Sequence, residues 1–143
     1  MSRYNRVKGV FVLCRTSNPG AGEFQDIKVS TGPILVDDDP MFRPLYQIVA
    51  QHVVGNWNKN GNCGLVVGAT YPDELREVRG LVGDMPILIP GIGAQGGNLE
   101  KTIKAGKDGR GEGMIINSSR EIIFSDDPRS QTEKLDRAIN QYR

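Results

Sequence analysis

Residues 87–97 read Ile-Leu-Ile-Pro-Gly-Ile-Gly-Ala-Gln-Gly-Gly, a short apolar run that breaks into a glycine-dense loop. Gly91, Gly93, Gly96 and Gly97 fall within seven residues, so backbone amides here can approach an anion closely. A helical pattern starts near Asn98, and a helix N-terminus favours negative charge. Arg120 follows a later apolar run, and its planar fork suits phosphate oxygens. A backbone cradle with one guanidinium predicts a phosphate site. The plainer readings are a flexible turn, which leaves Pro90 and Gln95 idle, and a surface Arg120 paired with Glu121. Gly91-x-Gly93-x-x-Gly96 also matches the dinucleotide fingerprint literally. That fingerprint needs an acidic residue about 20 positions further on, and Asn117-Ser118-Ser119-Arg120 hold that place instead.

A second polar loop, Arg15-Thr16-Ser17-Asn18-Pro19-Gly20, follows the first apolar run. Its hydroxyls and amide suit hydrogen bonds to a heterocycle or ribose, and ordinary turn chemistry before proline is the alternative. His52, the sole histidine, sits on a helical face and reads as packed or half-exposed. Asp37-Asp38-Asp39 reads as a solvated run that caps the next helix rather than a cation site. Asp126-Asp127-Pro128 reads the same way for the last helix. No nucleophile–base motif is visible. Cys14 and Cys63 belong to no CxxC pair and read as reduced core thiols.

These loops need a scaffold. With 143 residues, 38% hydrophobic and 24% charged, the chain is long enough for one globular domain with its own core. A net charge of +1 favours neither nucleic acid nor acidic membranes as partners. No run of 18 apolar residues exists, which excludes an ordinary helical membrane span. The basic start, Met1 to Lys8, leads into only six mostly apolar residues, too few for a signal-peptide core. A cytoplasmic protein is the default expectation.

Four runs predict buried strands: residues 9–14, 63–67, 85–89 and 114–116. They are apolar without alternation, as in parallel strands covered on both faces. Helical patterns cover residues 42–57, 72–81, 98–105 and 130–142. Pro40 is placed in the first turn of the first, with Asp39 as cap, and Thr70 caps the second. Four βα units in succession predict a parallel α/β sheet with right-handed crossovers. A closed (β/α)₈ barrel needs about 250 residues, so the expectation is half of one, or a small open sheet. Residues 16–39 are long for a βα connection, and the alternation over residues 26–35 predicts a small hairpin.

In these motifs the chain resembles orotidine 5′-phosphate decarboxylase, in particular the family's divergent second subfamily. The resemblance rests on Arg15-Thr16-Ser17-Asn18-Pro19-Gly20, Gly64-Leu65-Val66-Val67-Gly68-Ala69-Thr70-Tyr71-Pro72, Pro90 to Gly97, and Ile116-Asn117-Ser118-Ser119-Arg120. It implies a (β/α)₈ TIM barrel, of which residues 1–143 would form a single half-barrel domain, strands five to eight with their helices. It implies that Ser17 hydrogen-bonds the pyrimidine and that Gln95, on a lid loop, bridges that serine and the phosphate. Arg120 becomes the main phosphate arginine, and Pro90, Gly91 and Gly93 belong to the closing loop. Many relatives carry glycine where this chain has Ser119.

The family reaction converts orotidine 5′-phosphate to uridine 5′-phosphate and CO₂ without a metal or organic cofactor. Its Asp-Lys-Asp array lies on the second and third barrel strands, one aspartate coming from the other subunit of a dimer. Nothing in this chain matches that array, so no catalytic residue is assigned and the isolated chain is expected to be inactive. The expected partners are a nucleotide monophosphate and either an N-terminal half-barrel or further copies of the chain. A non-catalytic phosphate-ligand or assembly module built from half-barrels is the alternative, and another phosphate-binding barrel enzyme is a third.

Overall fold

The computed structural model describes residues 8–30, 42–93 and 96–143. Four parallel strands form the main sheet, in the order β1-β4-β5-β6: β1 Val10–Arg15, β4 Cys63–Val67, β5 Ile87–Pro90 and β6 Met114–Asn117. The first two helices precede β4: α1 Gly22–Gln25 and α2 Leu45–His52, the latter continuing as a π turn over Val53–Trp57. Helices α3 Pro72–Val82 and α4 Leu99–Gly106 connect β4 to β5 and β5 to β6. The short α5 Arg120–Ile123 and the longer α6 Pro128–Tyr142 follow. The four expected strands are all present, with boundaries shifted by one or two residues at most.

The connection after β1 differs from expectation. A small antiparallel ladder does form, but it pairs β2 Lys28–Ser30 with β3 Phe42–Pro44 rather than closing within residues 26–35. Residues 42–44 are therefore strand, and α2 begins three residues later than the periodicity predicts. Pro44 is its N-cap, with no side-chain bond. The expected cap Asp39, Pro40 and the Asp37–Asp38 pair lie outside the described residues. The buried face of α2 carries Tyr46 and Ala50 and continues to Val53 in the π turn. His52 is exposed and stands edge-on to Trp57, ring centroids 5.0 Å apart.

Thr70 does not cap α3. Tyr71 occupies that position without a side-chain bond, and the Thr70 hydroxyl oxygen is buried with no hydrogen-bond partner. Pro72 fills the first turn, where its missing N–H costs nothing. Asn98 and Asp127 are true caps: they accept from the amides of Lys101 (2.9 Å) and Ser130 (3.0 Å).

Register decides which apolar residues form the core. The row Val12–Leu65–Ile87–Met114 lies on the helix-covered face, where Leu65 and Ile87 are fully buried. Each such side chain contributes about 2 kcal/mol from apolar burial. The alternate row, Leu13–Val66–Leu88–Ile115, faces the other way, and Leu13 is 66% and Ile115 46% exposed. The strands are thus not covered on both faces at β1 and β6: helices pack on one side only. Phe11, on the open side, lies over Gly64, whose Cβ would come 2.5 Å from its ring.

At the N-terminal end of the sheet, Arg79 of α3 is buried and its guanidinium donates to four carbonyls. These belong to Gly106 (2.6 Å), Gly83 (2.6 Å), Met85 (2.8 Å) and Gly113 (2.7 Å). Burial lowers its pKa from the ordinary guanidinium value, while Asp108 and Asp84 oppose that shift. Arg79→Ala strips four oriented carbonyls of their donor. We expect a loss of about 3 kcal/mol or more in chemical denaturation.

Cys14 and Cys63 are buried free thiols, as expected. Burial pushes the Cys14 thiol up to about 12 from 9.0. The folded state therefore holds this proton more tightly than the unfolded chain. The associated stability is full below about pH 9 and is lost as pH rises toward 12. At pH 8 iodoacetamide should modify Cys14 only as fast as the chain unfolds, a rate readable by mass spectrometry across a denaturant series.

Candidate functional site

Parallel strands bring all their C-terminal ends to one edge, and the described candidate binding residues lie there. Ser17 follows β1, Gly68 to Thr70 follow β4, Gly91 to Gly97 follow β5 and Ser118 to Arg120 follow β6. Two hydrogen bonds tie these exits together just beyond the strands. The Gly68 amide donates to the Arg15 carbonyl (2.7 Å) and the Ala69 amide to the Pro90 carbonyl (2.8 Å). Pro90 in turn pairs with Asn117. Ser17 and Arg120 stand at opposite ends of this rim, beyond the first and last strands of the sheet. The glycine loop lies between them.

Two close approaches require glycine. A Cβ at Gly68 would lie 2.6 Å from the Ser17 amide nitrogen, so the absent side chain lets the serine turn pack on the end of β4. A Cβ at Gly97 would lie 2.6 Å from the Gly91 carbonyl oxygen and 2.7 Å from the Ala69 side chain. Gly91, Gly93 and Gly96 adopt φ of 100°, 73° and 81°, the left-handed region that disfavours side chains. The loop closes on itself: the Gly96 amide donates to the Gly93 carbonyl (2.7 Å) and the Gly97 amide to that of Gly91 (3.1 Å). Ile92 is buried and anchors it to the core. Gln95 lies outside the described residues.

The serine turn rests on a residue whose part the sequence does not reveal. Arg15, the last residue of β1, is 2% exposed. Its Nε lies 2.7 Å from Asp26 Oδ1, and its Nη2 donates to Asp26 Oδ2 (2.9 Å). Its Nη1 donates to the Thr16 carbonyl (3.0 Å), and the guanidinium stacks 3.8 Å over the Tyr71 ring. Gln25 of α1 accepts from the Thr16 amide (2.9 Å). Arg15 thus braces the turn instead of facing a ligand. An arginine directly after a buried run is the only sequence signal, because Asp26 stands at no motif spacing from it.

At the other end Arg120 begins α5, exposed, with no side-chain hydrogen bond or ion pair among the described residues. The alternative pairing with Glu121 does not form among the described residues. Glu121 instead accepts from Ser118 Oγ (3.3 Å) and Gln131 Nε2 (3.0 Å). Ser119 has φ −92°, a conformation open to any residue, and its hydroxyl donates to Asn117 Oδ1 (3.0 Å). Serine therefore fits there without strain. Chemically the rim offers the exposed Arg120 guanidinium, the bare backbone of Gly91, Gly93, Gly96 and Gly97, and a partly exposed hydroxyl turn. That set can hold an anion at one end and a polar ring at the other. Among the described residues no three His, Cys, Asp or Glu side chains group as a metal set, and no helix is long and apolar enough to cross a membrane.

The chain matches the Orotidine 5′-phosphate decarboxylase / HUMPS family over residues 1–135. It is 54% identical over 118 residues to an orotidine 5′-phosphate decarboxylase of Cupriavidus metallidurans, covering 82% of this chain and 39% of that protein. It is 48% identical over 143 residues to one from Ralstonia nicotianae, covering 95% of this chain and 49% of that protein. The structure superposes on OMP decarboxylase of Leishmania donovani with a TM-score of 0.80 at 41% identity, over 96% of this chain and 49% of the other. The chain therefore spans half or less of the length of these relatives, and the four-stranded sheet with its helices is a partial (β/α)₈ barrel. This chain belongs to the orotidine 5′-phosphate decarboxylase / HUMPS family.

Proposed function

We propose that this chain is the C-terminal half of an orotidine 5′-phosphate decarboxylase barrel, strands five to eight, and supplies its phosphate- and base-binding loops. The supporting observation is the shared rim. In a chain of this family, Ser17, the glycine loop and Arg120 follow the first, third and fourth strands of one parallel sheet and leave it at the same edge. Arg120 and the loop amides take the phosphate, Arg120 through its unshared fork. Ser17 hydrogen-bonds the pyrimidine. Pro90, Gly91 and Gly93 shape the loop's first turn, and Gln95, by the family resemblance, links base and phosphate.

These residues bind the substrate but do not break a bond. The carbon–carbon bond is cleaved by an Asp-Lys-Asp array that this sequence lacks, so binding energy gathered here supports chemistry on another segment. The open sheet face with Leu13 and Ile115 is where that segment packs, and the proposed partner is the N-terminal half of the same barrel.

The test is reconstitution. The 143-residue chain alone should not release CO₂ from orotidine 5′-phosphate, and mixing or co-expression with an N-terminal half carrying the Asp-Lys array should restore release. Decarboxylation by the chain alone would refute the division of labour. A stable dimer of this chain that binds uridine 5′-phosphate tightly, with no gain from the other half, would favour a binding module. In the reconstituted enzyme, Arg120→Ala should lower kcat/KM by about 100-fold or more, as expected for two lost charged hydrogen bonds. Gly68→Ala should leave the circular dichroism spectrum intact yet reduce turnover by roughly 100-fold, because it displaces Ser17.

A further inference from the structure

Glu121 is the residue beside this site that the proposed function leaves unused. A Cβ built on Gly93 would collide with the Glu121 carboxylate, so that carboxylate already rests against the glycine's α-carbon. Both oxygens are oriented. Oε2 accepts from Ser118 in the β6–α5 turn and Oε1 from Gln131 of α6. A fixed negative charge thus touches the glycine loop one residue after Arg120, the cation that the ligand's phosphate would use.

We infer that Glu121 is a specificity-determining residue: its carboxylate rests against Gly93 and competes there with an incoming phosphate. The inference rests on the reading that the phosphate lies between the glycine loop and Arg120. Like charges brought to one stretch of backbone repel, more strongly where the medium is only partly solvated. The net effect is weaker phosphate binding than the loop and Arg120 alone would give. Phosphates of lower charge lose less to this repulsion, so the residue grades ligands by anionic charge.

The test separates the two readings on the full 143-residue chain. Uridine 5′-phosphate is titrated calorimetrically into wild type, Glu121→Gln and Arg120→Ala. Glutamine keeps the size and removes the charge; its amide oxygen accepts from Gln131 and its NH2 donates to the Ser118 hydroxyl. Glu121→Gln should bind about tenfold more tightly at low salt, and that gain should shrink as salt screens the interaction. Equal or weaker binding by Glu121→Gln, with wild type binding and Arg120→Ala not, overturns the Glu121 inference alone. Silence from all three overturns the phosphate reading and the inference with it. Hydrogen exchange without ligand supplies an independent arm. Glu121→Ala should speed exchange of the Gly96 and Gly97 amides several-fold, and unchanged rates overturn the contact on which the inference stands.

Discussion

A full positive charge in the interior survives only if it is surrounded by acceptors, and Arg79 meets that condition with backbone alone. Its four carbonyls end α3 and α4 and precede β5 and β6. One side chain therefore fixes where two strands start relative to two helices. Because strands rise by a constant step per residue, fixing their starts fixes their ends. The Pro90–Asn117 pairing at the far edge, and with it the position of the glycine loop beside Arg120, follows from that anchoring. The guanidinium that orders the sheet is thus at the opposite end from the exposed guanidinium of Arg120.

The second buried arginine works differently. Arg15 sits at the functional edge and pairs with a carboxylate, Asp26, whose side chain is 42% exposed. A half-exposed partner reduces both the desolvation cost and the strength of the pair. The Tyr71 ring beneath it adds an orienting contact. The contrast fits the two tasks. The lower end needs rigidity, which carbonyls supply. The upper end must hold a turn in place within a loop-built site, and a solvent-touched ion pair does so without sealing it.

The sheet was readable because its information is local. Continuous apolar runs such as residues 63–67 predict buried strands, and glycine-rich exits predict where the chain turns back. The anchors were not readable. Arg79 finds acceptors that carry no sequence signature, since any residue has a carbonyl. Arg15 and Asp26 make contact through a helix of only four residues, α1. The α2 boundary was misplaced because Phe42–Pro44 fit a helical pattern but gain a ladder with Lys28–Ser30, a non-local preference that periodicity cannot register. In the site, Ser17, Pro90, Gly91, Gly93 and Arg120 lie along one rim of the sheet, and the binding roles given to them rest on the resemblance. Gln95 rests on resemblance alone, and the contact of Glu121 with Gly93 was not legible because it joins α5 to a loop distant in sequence.

The main sheet begins with β1 and ends with β6, and no described strand pairs with the outer edge of either. These two edges are unlike: one borders the serine turn, the other the arginine turn. A body with two different joining edges combines head to tail, and such a series either closes into a ring or grows without limit, depending on the rotation per step. Four strands are half the count at which a small parallel barrel closes. The geometry of the free edges, more than the strength of any one contact, therefore decides whether the sheet is completed as a finite object or left as the seed of an open one.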